Sequence, residues 1–376
     1  MTPKRPHVVR VITWLPVGGI ERRIVAVLPR LRDMGWDVSV VCIRERGELA
    51  REVERAGIPL EVVPFGSRLS PGGIRRLAEI FRERGADVVH SHMYRSNVPA
   101  TVAGRLAGVR AIFGQVHNVG TWETPRQRLA DMALSRLRRG TIAVSKAVQR
   151  DVMASLRLPA SRVPLVYNGI DTEAFRPDGE LRAKVRGELG ATADTTVVLV
   201  PARLHPQKNP LGMLRAFQAA RGATPERRAL LVYAGAGDEE EALRRAIAEA
   251  RLGRDAVLLG KRDDMAAVYN GADLVALPSF KEGFSNAVLE ALACGRPVLA
   301  SDAGGNAEAV DGPALGWIHP VGDAAALERD LSAALAEGPA LAGRAEACRA
   351  RALEFSVEAM VRRLHELYSE GLGTAP

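Results

Sequence analysis

Residues 273–301, DLVALPSFKEGFSNAVLEALACGRPVLAS, restrict the fold more than any other stretch of the chain. Leu274 to Leu277 is a short apolar run closed by Pro278, the pattern of a strand buried on both faces. The loop SFKEGFS follows. Ser285 or Asn286 is placed to cap a helix that runs to Cys294 and stops at Gly295. Pro297 then opens a second buried strand, PVLAS. A strand–loop–helix–strand unit of this kind belongs to a parallel α/β sheet. Its loop lies at the carboxyl end of the strand, where such sheets bind ligands.

The helix is apolar nearly all round, yet Glu290 sits in its middle. A buried carboxylate costs several kcal/mol, on the order of the penalty for a buried ion, unless it is hydrogen-bonded. No Lys or Arg stands three or four positions away. The partner is therefore a distant arginine, solvent at a sheet edge, or the hydroxyls of a sugar. Glu282 lies eight positions earlier in the loop. Between the two, the amides of Gly283, Phe284, Ser285 and Asn286 point out of a helix start, a ready cradle for phosphate.

The string EGFSNAVLE, followed by A-x-G-x-P-V and D-x-G-G, resembles the E-x7-E signature of retaining glycosyltransferases of the GT-B fold, especially glycosyltransferase family 4. The resemblance covers nearly the whole chain. It implies an α/β protein of two Rossmann-like, doubly wound domains facing across a cleft. Residues 1–170 would form the acceptor domain and 171–192 a linker. Residues 193–354 would bind a nucleotide sugar, and 355–376 would be a helix crossing back to the first domain.

A length of 376 residues fits two domains. No run of about 18 uncharged apolar residues occurs, so no transmembrane helix is expected. The start, MTPKRPHVVRVITWLPVGG, is faintly like a signal peptide, but Arg10 interrupts its apolar part and no cleavage site follows, so it reads as a first strand. Cys42, Cys294 and Cys348 are scattered without metal or redox spacing, which suits a reduced, cytoplasmic protein. Charge is uneven: residues 1–176 hold 29 Lys and Arg against 16 Asp and Glu, and the remainder 23 against 28. A basic first half suits an anionic partner, such as a phosphorylated or lipid-linked acceptor or the cytoplasmic face of a membrane. It equally suits a composition rich in Arg throughout. Aromatics make up 5% and do not interleave with the arginines, against nucleic-acid binding.

Taken in order, Val8 to Thr13 is a strand leading to Gly18 and Gly19, a turn that lets backbone approach a ligand. ADVVHSHMY gives a strand with His90 and His92 at its exit. H-x-H spacing puts both rings on one strand face, but no third metal ligand accompanies them, and His92 facing a cleft and its acceptor is the better reading. Ala111 to Val116 delivers His117 and Asn118. The resemblance implies that His117 lies close to the transferred sugar and Asn118 near the acceptor. TPRQRLADMALSRLRRG is a basic amphipathic helix, either a solvated face or a membrane-surface patch. The second domain restarts at strand 196–200, whose loop brings Arg203 and Lys208 beside a helix start with Asn209 as its cap and Pro210 first. Two cations there can neutralise a departing diphosphate, and the loop resembles the family's R-x4-K, except that Pro201-Ala202 stands where the family has glycine. GAGDEE lacks the third glycine of a dinucleotide loop. The resemblance places Arg262 beside the nucleotide base through its backbone.

The expected activity is retaining transfer of a hexosyl group from a nucleotide-diphosphate sugar, with UDP the first choice, to a glycan, lipid-linked or small-molecule acceptor in envelope polysaccharide or glycolipid synthesis. No cofactor or metal is expected. The alternatives are a GT-B sugar-nucleotide isomerase (epimerase) and a non-catalytic nucleotide-sugar-binding protein.

Overall fold

The computed structural model describes residues 5–66 and 70–374. Met1–Lys4, the basic start of the leader-like stretch, lie outside the described residues. Among those described, twelve strands form two six-stranded sheets, and every recorded pairing is parallel. The chain divides into two compact units, Met1–Gly169 with Val357–Pro376, and Ile170–Ser356.

The first unit contains β1 (His7–Ile12), β2 (Asp37–Cys42), β3 (Leu60–Val62), β4 (Val88–His92), β5 (Ala111–Val116) and β6 (Gly140–Ala143). Their order is β3-β2-β1-β4-β5-β6, the doubly wound Rossmann arrangement. The apolar runs explain it: Val8, Val9, Val11, Ile12, Val88 and Val89 are all fully buried, as strands covered on both faces by helices must be. Arg10, in the centre of β1, is just as buried. Ser145 caps the helix Lys146–Leu156, its hydroxyl accepting from the amide of Val148 at 3.1 Å. The helix Val357–Leu372 completes this unit's core with Val361, Leu364 and Tyr368.

The second unit repeats the plan with β7 (Thr195–Val200), β8 (Arg228–Ala234), β9 (Ala256–Gly260), β10 (Leu274–Leu277), β11 (Val298–Ser301) and β12 (Gly316–His319). Its order, β9-β8-β7-β10-β11-β12, is the same topology. Residues 171–192, expected as a linker, are instead folded into this unit. Asp178 caps the helix Gly179–Glu188, accepting from the amides of Glu180 and Leu181, both at 2.9 Å. Arg182 and Arg186, one turn apart, then grip the Asp273 carboxylate at 2.5 and 2.8 Å. Polar composition had concealed an anchored helix.

Candidate active site

In a doubly wound sheet, ligands collect beyond the carboxyl ends of the strands at the point where the strand order reverses. In the second unit that point lies between the paired neighbours β7 and β10. The loops leaving these two strands are tied together. Phe280 N donates to Gln207 O at 2.8 Å, and Gln207 Nε2 donates to Lys281 O at 2.7 Å. Lys208 Nζ donates to Glu282 Oε1 at 2.5 Å, and Glu282 is only 7% exposed. The structure joins the two residues, far apart in sequence, in one ion pair. An ammonium has three donors, so the bond to Glu282 aims the cation while leaving two N–H groups for other anions.

Two further loops seat this pair. After β11, Gly304 has φ +61°, and a Cβ there would lie 2.3 Å from the carbonyl oxygen of Glu282. Gly305 N donates to Gly283 O at 2.8 Å. The D-x-G-G run is therefore glycine because backbone meets backbone behind Glu282. After β8, Leu204 N donates to Ala236 O at 3.1 Å, and a Cβ on Gly237 would lie 2.3 Å from Leu204 O. The GAGDEE run thus supports the loop that carries Arg203. Arg203 itself is exposed and, among the described residues, makes no side-chain hydrogen bond or ion pair. Neither Pro201 nor Ala202 has positive φ, so the replacement of the family's glycine leaves ordinary backbone. Asn209 stands at the expected cap position, but with φ +55° and no side-chain cap bond. Its amide lies over Gly212 instead, where a Cβ would come within 2.2 Å of Oδ1.

Glu290 is half-buried on the helix Asn286–Ala293, and its Oε2 accepts from Tyr269 Oη at 2.7 Å. One partner of Glu290 is thus a phenol. Burial, and then Glu290 itself, push the Tyr269 hydroxyl well above its ordinary pKa, so it remains a donor. Ser285 is the N-cap of this helix but contributes no side-chain cap bond. Arg262 spends its guanidinium on Asp264 at 2.6 Å and Glu188 at 3.2 Å, which raises its pKa through those bonds. Only its backbone is uncommitted to ion pairing.

In the first unit the order reverses between β1 and β4. Gly18 precedes the helix Gly19–Asp33 with extended φ of −150°. A Cβ there would lie 2.4 Å from Glu21 Oε2, so the glycine makes room for a carboxylate folded against the helix start, and burial raises that carboxyl's pKa. Met93, directly after β4, holds φ +65°, a strained conformation of the sort that clusters at functional sites. His92 Nδ1 and His117 Nε2 lie 3.2 Å apart. His92 is 1% exposed, with its other nitrogen 2.8 Å from Arg10 Nη2. Neither of its nitrogens is left to meet an acceptor, contrary to the expectation from its strand-end position. His90 Nδ1 is 2.5 Å from Tyr368 Oη. Asn118 is half-buried and its carbonyl accepts from Thr121 Oγ1 at 2.7 Å. Among the described residues no three His, Cys, Asp or Glu are grouped to hold a metal. No described helix is long and apolar enough to cross a membrane.

Comparison with known proteins agrees with this geometry. Residues 17–174 match the family described as Glycosyltransferase Family 4, and residues 195–337 match Glycosyl transferases group 1. The D-inositol 3-phosphate glycosyltransferase of Saccharomonospora viridis is 30% identical over 352 residues, 85% of this chain and 77% of that protein. The chain belongs to glycosyltransferase family 4. A second relative, the UDP-Gal:alpha-D-GlcNAc-diphosphoundecaprenol alpha-1,3-galactosyltransferase of Escherichia coli, is 24% identical, covering 77% of this chain and 78% of that protein. Among solved structures, Anabaena HepE in complex with UDP and glucose superposes with TM-score 0.85 at 22% identity, covering 97% of this chain and all of that one. That likeness establishes the GT-B fold, with its two Rossmann-like domains.

This family 4 glycosyltransferase carries three contributors that sequence reading missed. Gln207 donates to the Lys281 carbonyl beside Glu282 and looks like an ordinary loop residue. Tyr269 holds Glu290 from 21 positions away. Arg10 had one available signal, a charge inside an apolar strand, which ought to have raised the question of its partner.

Proposed function

We propose that this enzyme moves a hexosyl group from a UDP-sugar to a phosphorylated or lipid-linked acceptor, with retention of anomeric configuration. The Lys208–Glu282 pair at the β7–β10 switch point carries the reading, because it presents an oriented cation where a doubly wound sheet receives a nucleotide. Arg203 and Lys208 neutralise the diphosphate as the bond from its oxygen to the sugar breaks. The amides from Gly283 to Asn286 assist at the helix start. Glu282 helps hold the sugar, Glu290 accepts ribose hydroxyls, and the backbone of Arg262 meets the base. Gly18 and Gly19 allow close backbone approach, Asn118 serves the acceptor, and His117 donates to an oxygen of the sugar.

Retention needs either a carboxylate nucleophile about 5 Å from a partner acid or departure and attack on one face. We favour the second. The acceptor oxygen bonds to the sugar carbon, the carbon–phosphate oxygen bond breaks, and the acceptor proton passes to the leaving diphosphate. The cations stand in for the charge of a metal, so turnover is proposed to be metal-independent. UDP is favoured by HepE and by the donor named for the galactosyltransferase, and a phosphorylated acceptor by the names of both relatives. Peripheral membrane contact is supported by Arg105, Arg110, Arg136 and Arg139, which with Leu137 line an open cavity of about 210 Å³ in the first unit.

The deciding experiment follows nucleotide release from a panel of UDP- and GDP-sugars with and without acceptor. Acceptor-dependent release supports transfer. Conversion of the donor without acceptor would make it an isomerase, and binding without turnover would make it a binding protein.

A further inference from the structure

Arg10 is fully buried, and among the described residues no carboxylate pairs with it. Its Nε and Nη2 lie 3.1 and 2.8 Å from His92 Nε2, and its Nη1 lies 3.0 Å from Tyr368 Oη. A guanidinium has donors only. His92 Nε2 is therefore an acceptor, and the proton of that neutral ring sits on Nδ1. This Nδ1 faces His117 Nε2 at 3.2 Å, which must accept in turn. His117 then carries its proton on Nδ1. That atom is shielded from solvent and has no hydrogen-bond partner among the described residues. An orphaned buried donor requires an explanation.

We propose that Arg10 is a positioning residue: its one-way donors set the tautomers of His92 and His117, so that His117 offers Nδ1–H to an acceptor oxygen of the sugar substrate. This rests on the reading that His117 meets the sugar. The ring is thereby a neutral donor and not a general base, because its lone pair is already engaged by His92. All groups around it support neutrality. Burial, followed by the charge of Arg10, holds His90 and His92 far below their ordinary pKa, and burial with Arg23 and Arg10 does the same for His117. On the far side, Tyr368 accepts from Arg10 and its own proton goes to His90 Nδ1, 2.5 Å away; Gln115 acts on that ring in the opposite sense, but as the smallest influence.

The test is long-range nitrogen–proton NMR on histidine-labelled protein, together with steady-state kinetics. Wild type is expected to show His117 protonated at Nδ1 alone from about pH 6 to 8. Arg10→Met should yield a mixed or Nε2-protonated His117, and kcat should fall about tenfold or more while donor KM changes much less. Arg10→Lys, which also has donors only, should restore the Nδ1 proton. An unchanged His117 tautomer in Arg10→Met overturns the proposal. If that variant does not fold, His92→Gln and His92→Leu decide it. Glutamine can accept from Arg10 and donate to His117, leucine can do neither, and the same tautomer in both would equally overturn it. The spectra need no turnover, so this outcome is separate from the sugar contact. That contact fails if His117→Ala keeps near wild-type kcat/KM.

Discussion

Lys208 Nζ donates to Glu282 Oε1 at 2.5 Å, joining residues 74 positions apart in the loops that leave β7 and β10. Because Glu282 aims the cation, the two side chains should act as a unit. Lys208→Ala is expected to lower kcat/KM on the order of a hundredfold, as loss of one transition-state donor does. Glu282→Gln should also cost activity by letting the ammonium wander. The double variant should lose far less than the product of the two single losses. Strict multiplication of the two effects in the steady-state assay would mean the pair is not functionally coupled.

Arg203 is exposed and has no side-chain partner among the described residues, so its removal disturbs no packing. Arg203→Ala should leave stability within about 0.5 kcal/mol yet cost on the order of a hundredfold in rate. Excess EDTA should leave wild-type turnover intact. Abolition of activity by the chelator would overturn the proposal that these cations replace a metal, and a loss of tenfold or less in both Arg203→Ala and Lys208→Ala would remove their role at the diphosphate.

Gly304 combines φ +61° with a Cβ position 2.3 Å from the carbonyl of Glu282. Gly304→Ala must therefore move the Glu282 loop as well as strain its own backbone. Stability should fall by more than about 1 kcal/mol in denaturant titration, and UDP affinity should fall with it. Unchanged UDP affinity would show that the glycine loop does not support the site.

His90, His92 and His117 are each held below the ordinary value of 6.5 chiefly by burial. Below about pH 6.5 the unfolded chain takes up protons on these rings that the folded first unit refuses. Their contribution is thus fully present above that pH and is lost as pH falls. Each adds a slope of up to about 1.4 kcal/mol per pH unit. Denaturant midpoints at pH 7.5 and 5.5 should differ, with the wild type weaker in acid. A flat profile would mean that the rings take up protons in the fold as readily as in the unfolded chain.

The arginines around Leu137, itself 41% exposed, predict binding to vesicles rich in anionic lipid and little binding to neutral ones. Co-sedimentation at low and high salt tests this. Equal binding to both kinds of vesicle would contradict a charge-driven contact.

What could be read from sequence was whatever is local. Leu274–Leu277 announces a buried strand through four apolar residues and a proline, and Gly295 marks a helix end through its left-handed backbone, φ +71°. The positions of Arg203, Lys208 and Glu282 in loops after strands were likewise legible, since strand ends are local features, and Glu290 was legible as a carboxylate inside an apolar helix. Partners were not. Lys208 and Glu282 stand 74 positions apart, and nothing in either neighbourhood names the other. Arg10 looked like an interruption of an apolar run, while its phenolic partner Tyr368 stands 358 residues away. The helix Gly179–Glu188 was passed over because its stabilising contact, the Asp273 carboxylate, lies some 90 residues further on. Side chains that answer to distant groups leave only a mismatch in the sequence, a charge where none belongs.

The helix Val357–Leu372 belongs to the first unit, where Trp36 Nε1 donates to His365 Nδ1 at 2.9 Å and Leu364 and Tyr368 join Val27 and Leu31 in the core. During translation, residues 170–356 are made as an uninterrupted piece between the two parts of the first unit. The amino-terminal sheet, although made first, waits with an apolar seam uncovered for roughly 10–40 s at ordinary elongation rates. The first-made half of this enzyme depends on the last-made helix to close its core.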